Sequence, residues 1–129
     1  MKQSPLTPRE FQDLIGVSGD TLGRLEVYVD LLGRWNRRIN LVGRASLGDP
    51  WRRHVLDSAQ LHPLLPDDER AVVDLGSGAG LPGLILALMG TPGVHLVESN
   101  GRKCAFLSRV MRETDTEARV HRCRIEDLA

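Results

Sequence analysis

Asp74 and Glu98 are two carboxylates that each close a short apolar run, and between them lie Gly76, Gly78, Gly80 and Gly83. Ala71 to Leu75 reads as a strand buried on both faces, β-branched at its centre. The glycines that follow let the backbone turn sharply and let a ligand approach with no Cβ in the way, most closely at Gly78. Leu84-Ile85-Leu86-Ala87-Leu88-Met89 continues as an apolar helix, closed by Gly90 and Pro92. A strand, a glycine turn and a helix in that order open a nucleotide-binding α/β sheet, with the first helix amides facing the ligand. Val94 to Glu98 is the next strand. A carboxylate at its end, about twenty residues past the turn, hydrogen-bonds a ribose diol in such sites.

Two ligands remain open on spacing alone. Gly78, Gly80 and Gly83 satisfy G-x-G-x-x-G, which admits a dinucleotide. Asp74 with Gly76, Gly78 and Gly80 makes D-x-G-x-G-x-G, which resembles the first motif of S-adenosylmethionine-dependent methyltransferases. A carboxylate beside the turn suits a cationic, amine-bearing ligand better than a pyrophosphate. No Ser/His/Asp or Cys/His set stands out, so no catalytic residue is assigned. His121 and Cys123 alternate along a strand, with Cys104 elsewhere. Without a fourth ligand at short spacing, buried free cysteines are expected rather than a metal site.

The elements that position these residues fall into two parts. Thr7-Pro8-Arg9-Glu10 announces a first helix with a capping box, ended by Gly16. Leu22, Leu25, Tyr28, Leu32, Trp35 and Ile39 give a second helix from Asp20 to about Arg38. Asp49 as cap and Pro50 at the first position begin a third. Pro63, Pro66 and the acidic run Asp67-Asp68-Glu69 lead into the sheet. The expected division is therefore a helical cap, 1–62, and an α/β part, 63–129. In the latter, Arg102 to Met111 forms a helix, Ala118 to Arg122 a third strand, and Ile125 onward a turn.

Totals narrow the class. The 129 residues suit one domain, 41% of them are hydrophobic, and 17 residues of each sign give zero net charge. Nucleic-acid binding then requires a local patch, and one exists. From Gly33 to His54 there are six arginines against the single acid Asp49. Arginine without lysine favours two-pronged phosphate or base contacts. Met1-Lys2-Gln3-Ser4-Pro5 lacks the core of a signal peptide, and no run approaches a membrane span, so a cytoplasmic protein is expected.

Four separated signatures then agree. Trp35-Asn36-Arg37-Arg38-Ile39-Asn40-Leu41-Val42 resembles the W-N-x-x-x-N-L-T element of the bacterial 16S rRNA guanine-N7 methyltransferases, the RsmG/GidB family. Arg53 to Ser58 resembles its R-H-I-L-D-S segment, Asp74 to Gly83 its glycine turn, and Arg124-Ile125-Glu126-Asp127 its R-x-E-D/E signature. The resemblance implies a Rossmann-like fold and S-adenosylmethionine as cofactor. Gly76 and Leu81 would contact it, Glu98 would hold its ribose, and Ile125 and Glu126 would flank its adenine. Arg37, Arg38 and Arg53 would face 16S rRNA in the small ribosomal subunit. A full-length family member is expected to be a monomer that needs no metal or membrane. The family continues through further strands and an S-R-A element whose arginine lies at the active site. The chain is therefore expected to be a fragment with an incomplete sheet, inactive alone, with Val72, Val73 and Leu75 partly bare. An NAD(P)-dependent oxidoreductase fragment and a non-catalytic ribosome-binding module stay as alternatives.

Overall fold

Thr7 opens helix α1 (Pro8–Ile15) with the expected reciprocal cap: its Oγ1 accepts the Glu10 N–H at 3.1 Å, and the Glu10 carboxylate accepts the Thr7 N–H at 3.0 Å. The computed structural model describes residues 3–66 and 71–128, so the acidic run Asp67-Asp68-Glu69 lies outside the described residues. Ser18 caps helix α2 (Gly19–Trp35), whose inner face buries Leu25, Tyr28, Leu31 and Leu32. This helix ends about one turn earlier than its periodicity suggests. Asn36 is the reason. Its side-chain oxygen accepts the N–H groups of Leu41 and Val42, and its amide donates to the Val42 carbonyl. Those bonds fold residues 36–42 back into a loop, and Arg37 and Arg38 sit on that loop rather than on the helix.

The third helical stretch also departs from expectation. Its first part, Trp51–Leu56, is π-wound, and only its end, α3 (Asp57–Ala59), is α-helical. Asp49 divides its carboxylate between that helix start, where Arg52 lies, and the N-terminal segment. It accepts the N–H of Leu6, 43 residues away, at 2.9 Å and pairs with the Arg52 guanidinium. Partial burial works against the charge there, and these bonds outweigh it, holding the Asp49 carboxyl below its ordinary range.

Strands β1 (Val72–Leu75), β2 (Val94–Glu98) and β3 (Arg119–Arg122) form one parallel sheet in the order β1-β2-β3. Helices α4 (Gly83–Leu88) and α5 (Gly101–Thr114) make the two crossovers. Val72, Val94, Leu96 and Val120 face the core with both helices, and α2 packs over α4 and α5. One core thus runs from Phe11 and Leu25 through Leu84 and Ile85 to Phe106 and Leu107.

The register puts Val73 beside His95 and Leu75 beside Val97, on the face away from that core. Val73 and Leu75 remain 50% and 52% exposed, and among the described residues β1 is an edge strand, as β3 is at the other side, in line with the open sheet expected. His95 and His121 stack on the same face, ring centroids 5.1 Å apart and Nδ1 to Nε2 2.9 Å. Cys104 is buried, its thiol donating to the Glu98 carbonyl at 3.2 Å, and burial pushes the thiol pKa up. Cys123, expected buried, is only half-buried, because β3 has just ended. Among the described residues no group of three or more His, Cys, Asp or Glu could hold a metal ion. Nor is any helix there long and apolar enough to cross a membrane.

Candidate functional site

At the carboxyl ends of β1 and β2 the chain leaves the sheet through two loops, the place where open parallel sheets bind ligands. Gly76 and Ser77 extend the ladder by donating to the Val97 carbonyl at 2.9 and 3.0 Å. The turn then lifts away, with Gly78 in left-handed backbone at φ +54°. A Cβ at Gly78 would meet only the Gly76 carbonyl, at 3.9 Å, and one at Gly76 would meet nothing within 4 Å. The backbone here therefore borders open space that a ligand can occupy. Gly83 is the opposite case. A Cβ there would lie 2.6 Å from Leu96 and 2.7 Å from Asp74, so the close approach of α4 to the sheet requires glycine.

That approach lets the Asp74 carboxylate accept the Gly83 N–H at 3.0 Å, answering one of the unpaired donors at the start of α4. Burial raises the pKa of Asp74 above its ordinary value, the bonds from Gly83 and Ser77 pull the other way, and the Glu98 charge adds to the rise. Glu98 is buried and divides its oxygens between the two loops. Oε1 accepts the Gly78 N–H and Oε2 the Asn100 N–H, both at 2.8 Å. A carboxylate has about four acceptor positions, so room remains for hydroxyl donors.

Gly76, Val97, Glu98, Ser99, Cys123, Arg124, Ile125 and Glu126 line one cleft of about 300 Å³. The structure thus brings Gly76, Glu98, Ile125 and Glu126 together, from three separate loops. Gly78 joins them through its bond to Glu98. Leu81 does not line this cleft and is half-buried against the core.

The arginines spread more widely. Arg37, Arg38 and Arg53 are all exposed. Arg38 lines a groove of about 500 Å³ with Leu31, Arg34, Trp35, Ile39 and Arg109 of α5, whereas Arg37 and Arg53 do not line it. Arg34 pairs with Asp30 at 3.2 Å and Arg109 with Glu113 at 2.6 Å, so part of the patch's charge is compensated. Beside Arg53, the His54 ring nitrogen Nε2 lies 2.7 Å from Ser46 Oγ. Burial, then the Arg53 guanidinium, hold the His54 pKa below its ordinary value. Arg109 was not singled out from sequence. Its only signal there is its place on the polar side of α5.

Comparison with known proteins agrees with this architecture. The family model described as rRNA small subunit methyltransferase G (GidB) matches residues 21–129. A protein of Rhodospirillum rubrum named ribosomal RNA small subunit methyltransferase G is 55% identical over 123 residues, 95% of this chain and 61% of its own length. Proteins of the same name from Paramagnetospirillum magneticum and Rhodospirillum centenum are each 57% identical, covering 95% and 91% of this chain. The chain spans 60% of the first of these two and 54% of the second, so it matches little more than half the length of such relatives.

Proposed function

The chain belongs to the rRNA small subunit methyltransferase G family, and we propose that it acts in S-adenosylmethionine-dependent methylation of guanine N7 in 16S rRNA. The observation that carries this is the cleft shared by Gly76, Glu98, Ile125 and Glu126. Glu98 receives the ribose hydroxyls, Ile125 and Glu126 flank the adenine, Gly76 and Gly78 border the methionine portion, and Leu81, outside this cleft, contacts the cofactor from the turn. Asp74 stands half-buried beside the turn, a carboxylate placed for an ammonium group. Glu98 at the second strand's end suits the ribose of either ligand; the Asp74 carboxylate beside the turn suits an ammonium group better than a pyrophosphate and favours this cofactor over NAD(P).

The cofactor supplies an electrophilic sulfonium methyl group. Guanine N7 carries a free lone pair at neutral pH, so the chain need not provide a strong base. Its residues work by holding and orienting the reactants and excluding water. The helical segment 1–62 faces RNA through Arg37, Arg38 and Arg53, with Arg38 and Arg109 flanking the groove beside Trp35. Residues 63–129 carry the cofactor cleft. The small ribosomal subunit is the partner, the cytoplasm the location, and a monomer the working state of the whole enzyme.

Calorimetry with S-adenosylmethionine, S-adenosylhomocysteine, NAD and NADP tests this directly. Binding of the first two alone is expected. A preference for a dinucleotide would overturn the proposal, and RNA binding with no cofactor binding would favour a ribosome-binding module instead.

A further inference from the structure

Tyr28 is the chain's single tyrosine, and it is fully buried. Its ring meets Phe106 edge-on at 5.9 Å, and its hydroxyl donates to the Ala79 carbonyl at 2.7 Å. A hydroxyl buried without a partner is strongly disfavoured, so this bond is strongly specified. Burial also pushes the Tyr28 pKa far above its ordinary value, so the hydroxyl remains a donor.

Ala79 lies between Gly78 and Gly80, where the backbone is intrinsically soft. Nearest to Ala79, bonds from within the α/β part include Gly78 N–H to Glu98 at 2.8 Å and Gly80 N–H to the Ser77 carbonyl at 2.7 Å. The bond to the Ala79 carbonyl comes instead from α2, in the helical segment. Because a peptide group is planar, holding the Ala79 carbonyl toward the core also sets the direction of the Gly80 N–H.

We propose that Tyr28 is a positioning residue for the cofactor turn, fixing the peptide plane between Ala79 and Gly80 and with it the glycine backbone that receives the cofactor. The inference rests on the cofactor site proposed above. Helix α2 then acts as a strut between the arginine-bearing loop at its end and the turn.

The test compares Tyr28→Phe, which removes only the hydroxyl, with Phe106→Leu, which disturbs the packing around the ring and spares the hydroxyl. S-adenosylhomocysteine binding is read by calorimetry, melting by circular dichroism, and exchange of the Gly80 amide by NMR. Tyr28→Phe should weaken binding about five- to tenfold and speed Gly80 exchange by a similar factor, the size expected for removal of one hydrogen bond. Phe106→Leu should melt earlier yet keep both readouts. Equal affinity in Tyr28→Phe and the unaltered chain, or equal weakening in Phe106→Leu, would overturn the proposal. In the unaltered chain, the Tyr28 hydroxyl proton should exchange more slowly once S-adenosylhomocysteine saturates the site, and no slowing would count against the role even if Tyr28→Phe fails to fold. An unaltered chain that binds no S-adenosylhomocysteine would refute the cofactor assignment instead, and Gly80 exchange in Tyr28→Phe would still decide the positioning role.

Discussion

The Glu98 carboxylate reaches back twenty residues in sequence to accept the Gly78 N–H at 2.8 Å, while its other oxygen accepts the Asn100 N–H. One side chain thereby closes both loops that border the cleft. In Glu98→Gln, one of those N–H groups would face an amide N–H₂ instead of an oxygen. A buried donor left unsatisfied costs about 1–3 kcal/mol. Calorimetry should show S-adenosylhomocysteine affinity reduced roughly tenfold or more. Methylating the ligand's ribose hydroxyls should then weaken binding less than it does in the unaltered chain, because the diol's acceptor is already impaired.

Gly78→Val separates the ligand from the protein. The structure leaves space for a Cβ at this position, so clashes within the chain are not expected. The left-handed φ of +54° would still cost a β-branched residue roughly 1–2 kcal/mol. Cofactor binding should disappear while the helical part stays folded by circular dichroism. Normal binding in this variant would place the cofactor elsewhere.

Asp74 should leave a mark on the pH dependence of stability. Burial raises its folded pKa above 3.8, so the folded chain keeps this proton to higher pH than the unfolded one. The resulting stability is complete below the unfolded pKa and is lost as pH rises through the folded value. Asp74→Asn keeps an oxygen for the Gly83 N–H and carries no charge. Relative to the unaltered chain it should therefore gain stability between about pH 4 and neutrality, yet bind the cationic cofactor less tightly. Urea unfolding across this range checks the first part and calorimetry the second.

Replacing Arg37, Arg38 and Arg53 with alanine should weaken RNA binding and flatten its salt dependence. The slope should fall by roughly 0.7 for each single-strand phosphate that is no longer neutralised. S-adenosylhomocysteine affinity should hold, because none of the three lines the cofactor cleft. An unchanged salt slope would leave these arginines as a solvated surface.

Much of the site was legible because its signals are local. An apolar run followed by spaced glycines defines β1, its turn and α4, and Glu98 follows at the distance such a crossover requires. The features that escaped depend on residues distant in sequence coming together. Propensity alone would carry α2 through Arg37 and Arg38, but the Asn36 side chain captures Leu41 and Val42 and ends it. Asp49 has the makings of a helix cap, yet Leu6 competes for its carboxylate. The stack of His95 on His121 follows only from the register of β2 and β3. Arg109 comes to line one groove with Arg38 only once α5 has packed on α2.

The outer strand makes its own prediction. Val73 and Leu75 present half their surface on a strand whose other edge has no partner among the described residues. Unpaired apolar edges template association between chains. The 129-residue chain should self-associate in light scattering, and Val73→Lys should shift it toward monomer. A monodisperse unaltered chain would contradict this.

The core shared by both parts has a consequence during synthesis. Leu25, Tyr28, Leu31 and Leu32 leave the ribosome well before the residues that bury them. The Tyr28 hydroxyl alone waits for a carbonyl 51 residues downstream, roughly 3–10 seconds at ordinary elongation speeds of about 5–20 residues per second. Throughout that interval α2 carries a greasy stripe that α1 alone can partly cover. Apolar surface exposed for that long invites association between nascent chains, so yield should depend on how quickly translation reaches Phe106.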